Sequence, residues 1–550
     1  MEKKGKVVFK EYAQGQMMLL PPTFDELIPA THAVRVVNAV IDRIDLGPLL
    51  KVYSGGGAST YHPRMMLKVL VYAYLSNIYS SRRMEAALCE NIHFMWLSGM
   101  VRPDHNTINR FRSHRLRNVM KQVFSEVVLM LMEAGHVDLK AVYTDGTKIE
   151  STANRYTFVW GKSIVTNREK MKKQLEELWA YTQQVAKEEL ADEQPPELGK
   201  MDPEKVEQTI DRINQALKGK DVDAKKQQKL AYAKKNWPSK LREYAQKERI
   251  LKGRGSYSKT DPDATFMRMK DDHMGNGQLK PGYNVQWSTQ YRYVINYSLH
   301  SDPTDTLTMP AHIGQFQDQY DRMPEAVVAD AGYGSEQNYQ ELEKNNITAY
   351  VKYNMFHREQ QKSWQQKNPF HVSMLHYDRE RNHYICPMGQ PMHHIRDVHK
   401  QNRSGHVSTV SHYRAQNCTR CPLRGACFKA AEGHRVIEVN HRLNALKEKA
   451  RQLLTSEEGL HHRSQRPVEV ESAFGNLKRN MGFTRFMLRG MDKVSIETGL
   501  LATAMNLKKM AMEMTHKTKK AANMVVNGLK KQLYAPLEAS EARIYLASLA

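Results

Sequence analysis

The chain has 550 residues, 41% hydrophobic and 26% charged, enough for about two to four domains with a sizeable buried core. Lys and Arg outnumber Asp and Glu by 82 to 59, a net charge of +23, so a polyanionic partner is expected and nucleic acid leads, a merely basic protein being the bland alternative. There is no apolar run of the ~18 residues a membrane helix needs, no secretory core at the N-terminus and an odd cysteine count, which argues against a membrane protein or a disulfide framework and points to the cytoplasm.

Residues 1–135 read as an all-helical domain. Val36, Val37, Val40, Ile41 and Ile44 recur at helical spacing, a Gly-rich linker follows at Gly55–Gly57, and Pro63 suits a first helical turn. In RPDHNTINRFRSHRLRNVMKQVF, Asp104 or Asn106 can cap a helix, and Thr107, Asn109, Arg110, Arg112, Ser113 and Arg115 give it a polar, basic surface. A short helix, a turn and a basic helix make a helix-turn-helix-like layout with Arg110 and Arg112 as DNA contacts; a solvated helix face is the alternative. Cys89, in an apolar helix, reads as core packing.

The stretch AVYTDGTKIESTANRYTFVWGK, 141–162, puts Asp145 at the end of a short β-branched run, directly before Gly146. Alone this reads as an Asp-Gly hairpin turn. Two later stretches give it weight: VVADAGYGS sets Asp330 at the end of another apolar strand, and RPVEVESAFGNLK sets Glu471 on a helix. Two strand-end aspartates and a helix-borne glutamate can together hold a pair of divalent cations, Mg2+ or Mn2+. On the Glu471 helix, Val470, Phe474, Leu477 and Met481 form an apolar stripe, with Glu471, Gly475 and Lys478 on a neighbouring one. Glu469 is the rival carboxylate, on another side of the helix. Lys148, Asn154, Arg155 and Lys162 after Asp145, and Arg466, Arg485 and Arg489 around Glu471, are candidate phosphate contacts.

Residues 165–254 are charged and helical, and read as an inserted hairpin, either a solvated projection or a clamp. Paired strands at 283–300, a helix, the Asp330 strand and a strand at 347–353 then follow, the order of a ribonuclease-H-like α/β domain. That domain is expected over 136–164, 255–358 and 440–514, with a Cys-rich insertion at 359–439 and a basic tail at 515–550. The insertion, polar and irregular by sequence, carries Cys386, Cys418, Cys421 and Cys427 as C-x31-C-x2-C-x5-C. A structural Zn2+ on these four thiolates is the leading reading, with loose thiols or an iron–sulfur cluster as alternatives and His383, His393 and His394 as spare ligands.

The segments DGTKIESTANRYTFVWGKS, DHMGNGQLKPGYNVQ, ADAGYGSEQNY and RPVEVESAFGNLKRNMGFTRFMLRG, with RPDHNTINRFR before them, resemble a DDE transposase of a bacterial insertion sequence. The likeness covers roughly residues 15–510 and falls in the branch with a helical N-terminal domain and a Cys-rich insertion. It implies that Asp145, Asp330 and Glu471 are a metal-binding triad, that the substrate is double-stranded DNA at transposon ends and target, and that a homodimer pairs the two ends. Related sequences carry a tyrosine, arginine, glutamate, lysine signature. Lys478 fits its lysine, but Ser464 stands at the tyrosine position and Pro467 at the arginine position, with Arg466 one residue early. Alternatives are a catalytically silent DNA-binding derivative and a plain metal-dependent nuclease.

Overall fold

A computed structural model describes residues 22–51, 53, 60–189, 201–269 and 277–533. The Gly55–Gly57 linker, residues 272–276 of the second resembling segment and the tail from 534 lie outside the described residues. The chain divides into two compact units, 1–115 with 504–550, and 116–503. The first break thus falls at 115 rather than 135, because the helix Met120–Glu133 belongs to the second unit, where Phe124 meets Tyr297 edge to face at 5.0 Å. No helix among the described residues is long and apolar enough to cross a membrane.

The first unit is helical, as its periodicity requires. Val34, Val36, Val37, Val40 and Ile41 bury one face of Ala33–Arg43, and Pro63 opens Pro63–Leu75, whose side chains are almost all buried. Asp104 caps His105–Arg110 by accepting the Thr107 N–H at 2.7 Å. Cys89 is exposed on the outer side of Ser81–Glu90, which corrects its reading as core.

In the second unit a mixed six-stranded sheet is built around Ala141–Glu150. Leu279–Gln290 pairs antiparallel with it, Tyr293–His300 and Thr265–Arg268 pair with Leu279–Gln290, and Ala326–Ala329 then Thr348–Val351 add in parallel on the other side. This is the ribonuclease-H-like order read from the sequence. The helical stretch after 457 lies across the sheet, and its apolar stripe Val470, Phe474, Leu477 and Met481 is buried. Phe474 stacks on Trp287 at 5.0 Å, and Trp287 is paired with Asp145 in the sheet, so this helix covers the face that bears Asp145.

The insertion after the first strand holds three helices, Gly161–Val185, Pro203–Ala216 and Ala224–Leu251, rather than a hairpin. They enclose their own core of Leu175, Leu178, Trp179, Ile210, Ile213, Trp237 and Leu241. The Cys-rich segment contains a five-stranded antiparallel sheet where the sequence reads as irregular. Pro391–Gln401 is exposed along most of its length, so the alternation of polar and apolar residues that announces a strand is missing there.

Candidate catalytic site

Asp145 lies in the middle of a ten-residue strand, neither at its end nor in a turn. The structure supplies the opening in another way. The neighbouring strand Ala326–Ala329 pairs only with Ala141 to Tyr143, so the parallel pairing stops before Asp145. Gly146 leaves room for its neighbours: a Cβ there would sit 2.3 Å from Gln286 Nε2 and 2.4 Å from Asp305 Oδ1, so both side chains would have to shift. Asp330 follows the end of Ala326–Ala329, as expected, and its Oδ1 accepts the Gly332 N–H at 2.8 Å.

Glu471 reaches the same place through a departure from α-helix geometry. The helix Glu457–Arg466 continues as a π-helical turn over Pro467–Glu471, where the Ser472 N–H donates to the Pro467 carbonyl. In an α-helix, residues five apart point about 140° apart. A turn closed by an i to i+5 bond returns them to nearly one face. The one-residue displacement of Arg466 from the signature is absorbed in this way.

The result is a convergence on one guanidinium. Arg466 places Nη2 3.1 Å from Asp145 Oδ2 and 3.7 Å from Asp330 Oδ2, and Nη1 donates to Glu471 Oε1 at 2.8 Å. The side chains of Arg466 and Asp145 are 9% and 8% exposed, while that of Glu471 is 53% exposed and faces solvent. Arg466, expected to contact DNA, is instead held inside by the three carboxylates. Glu469 points elsewhere: its Oε2 accepts the Arg292 N–H at 2.6 Å, holding the Tyr291–Arg292 hairpin turn whose two residues both have positive φ.

Residues around this centre that sequence reading missed are Asp305, Tyr333 and Lys352. Asp305 Oδ1 accepts from Asn284 Nδ2 and Gln286 Nε2, both at 2.8 Å. Tyr333 is fully buried and donates to Gln286 Oε1; burial first, then the charges of Asp305, Asp145 and Asp330, push its hydroxyl well above the ordinary tyrosine range. Lys352 is pushed down by burial and then by Arg466 and Arg463, with Asp330 and Glu471 opposing. A cation directly after a strand parallel to the Asp330 strand was the one available signal; Asp305, in a turn, offered none.

Among the candidate phosphate contacts, Arg110 is exposed, while Arg112 is 3% exposed and donates to Tyr74 Oη, the Tyr79 carbonyl and Asn109 Oδ1. That burial removes Arg112 from any DNA surface: a short step along the helix separates an outward position from an inward one. Lys148 is paired with Asn284 and lies on the sheet face opposite Asp145. Asn154 is exposed in the following turn, its Oδ1 taking the Tyr156 N–H, and Lys478 is half-buried on the second π-turn, Asn476–Asn480. Arg485 and Arg489 donate to the carbonyls of Ser151 and Thr152, tying the Glu471 segment to the turn after the first strand.

Among the described residues no group of three or more His, Cys, Asp or Glu is placed to hold a metal ion. At the acidic centre, however, one cation already bridges three hard-oxygen donors, so the donor set suits Mg2+ or Mn2+. The expected four-cysteine cage is not assembled. Cys386 and Cys418 pack on the core of the small sheet, and Arg435 donates its N–H to Cys418 Sγ at 3.4 Å and its Nη1 to Cys427 Sγ at 3.0 Å. None of the four is in a disulfide.

Residues 385–511 match a family model described as a transposase DDE domain, and residues 22–114 match one described as a transposase domain (DUF772). The first match contains Glu471 and all four clustered cysteines; Asp145 and Asp330 precede it. No curated protein matches the chain. Over these two stretches the chain is similar to an insertion-sequence DDE transposase with an N-terminal DUF772 region, a family that acts on DNA and generally uses a divalent metal.

Proposed function

We propose that this chain, with its transposase DDE domain and DUF772 region, cuts double-stranded DNA at the terminal inverted repeats of its own element and joins the freed 3′ ends to target DNA. The observation that carries this reading is the meeting of Asp145, Asp330 and Glu471 on one guanidinium. These three would hold Mg2+ or Mn2+, and such a pair of ions, when bound, activates the attacking oxygen and stabilises the leaving one.

The chain's own groups do the placing. Asp145 is held rigid by sheet pairing on one side and by the Trp287–Phe474 stack over its face, so its carboxylate does not follow the substrate. Asp330 and Glu471, more exposed, border the opening where the scissile phosphate would lie. Lys478, Asn154 and Arg110 would take phosphates away from the reacting atoms. In the first step a water oxygen bonds to the phosphorus and the 3′ oxygen leaves as a hydroxyl. In the second that hydroxyl oxygen bonds to a target phosphorus and displaces a target 3′ oxygen. Pairing of two ends makes a homodimer on DNA the working form. A structural Zn2+ would take Cys386, Cys418, Cys421 and Cys427 as its four thiolate ligands, and requires the four to close up and Arg435 to leave two of the sulfurs.

The test is a Mg2+-dependent assay on a duplex carrying the element's end, with Glu471→Gln and Glu469→Gln beside the natural protein. Cutting and joining by the natural protein and by Glu469→Gln, but not by Glu471→Gln, is the expected pattern. Equal cutting by Glu471→Gln would remove the triad; specific binding without cutting favours a silent DNA-binding derivative, and cutting without joining a nuclease.

A further inference from the structure

We infer that Arg466 is an internal stand-in for the divalent ion: it holds the three carboxylates together before any ion binds and has to withdraw for an ion to enter. This rests on the reading of those carboxylates as the metal site.

Three carboxylates brought to one place repel, and without a cation they separate or take up protons. The guanidinium relieves this by reaching all of them from one side chain, at 2.8, 3.1 and 3.7 Å. It cannot share the site with an ion. Guanidinium has only donors and offers no lone pair to a metal. An ion about 2.1 Å from Asp145 Oδ2 or Glu471 Oε1 would fall against the Nη groups now on those atoms. Two positive centres would then be in contact in a place where both aspartate and arginine are nearly buried.

The attachment of Arg466 favours release over permanence. Its Nε is buried without a hydrogen-bond partner, and among the described residues the polar contacts of its Nη groups are with the three carboxylates. No carbonyl or fourth side chain of those residues anchors the guanidinium, in contrast to Arg254, which is fixed by the carbonyls of Leu251, Ile250, Pro262 and Asp263. Arg466 also ends a regular helix immediately before the π-turn, so the backbone beside it already departs from α geometry.

The measurement is Mn2+ binding to the full chain without DNA, followed by the free-ion electron paramagnetic resonance signal. Arg466→Gln is expected to bind Mn2+ on the order of tenfold more tightly than the natural protein, and its melting temperature to rise further on adding Mn2+. Arg466→Lys, which keeps the charge with a single nitrogen, should fall between the two; it also serves if Arg466→Gln does not fold. Affinity unchanged or weakened in Arg466→Gln, or in Arg466→Lys alone, overturns the proposal. Asp145→Asn separates the two levels: if it binds Mn2+ as well as the natural protein, the carboxylates are not the metal site and both readings fall.

Discussion

One strand carries two nearly buried carboxylates five residues apart, and their surroundings are opposite in charge. Around Asp145 three carboxylates share one guanidinium. Around Glu150 a single carboxylate is ringed by Arg155 at 2.7 Å and by Lys280 and Arg485, each at 3.8 Å. The side chains are 8% and 10% exposed, so burial does not separate them. The balance of charge does. A surplus of anions attracts a divalent cation in place of the single guanidinium charge, whereas a carboxylate already surrounded by cations is an ion-pair cluster that holds the strand to the Arg485 segment.

This contrast is broken most directly by paired substitutions. Asp145→Asn should lower DNA cutting on the order of 10²–10³-fold with little loss of stability, a magnitude usual for removing one group that stabilises the transition state. Glu150→Gln should do the reverse, costing about 1–3 kcal/mol in urea unfolding as charge-assisted bonds are lost while cutting persists. Cutting lost equally in both would make the distinction meaningless.

The space between the two sites offers a sharper test. Gly146→Ala forces a methyl against Gln286 and Asp305, and should cost about 1–3 kcal/mol and lower cutting as well, because the strand shifts beneath Asp145. Glu469→Gln, two residues from Glu471, weakens a bond to the hairpin turn; about 1 kcal/mol of stability and unaltered metal dependence are expected from calorimetry and the cutting assay.

The smallest effect concerns pH. Burial lowers His300 to about 4 and His312 to about 3, from 6.5. Both stay neutral in the fold, while the unfolded chain takes up protons near 6.5. Stability is therefore full above pH 6.5 and falls toward pH 4, by at most about 1.4 kcal/mol per pH unit for each histidine. Thermal unfolding from about pH 8 to about pH 4 should show this loss, and His312→Asn should flatten it.

What the amino-acid sequence determined by itself was the order of strands and helices, the apolar stripe under Glu471 and the three acids, because these depend on periodicity and on the residue types that a chemistry needs. Tertiary structure alone decided which carboxylates meet. Asp145 lies at mid-strand, and its exposure depends on where a strand far later in the chain stops pairing. Glu471 prevails over Glu469 because a π-turn rotates it onto the face of Arg466, and no local pattern announces that turn. Arg112 and Arg110 read alike as basic residues, yet one is enclosed by Tyr74 and Tyr79. The five-stranded sheet around the cysteines was hidden for a related reason: its long strand Pro391–Gln401, exposed along most of its length, carries no alternation, so its pairing is visible only once the chain is folded.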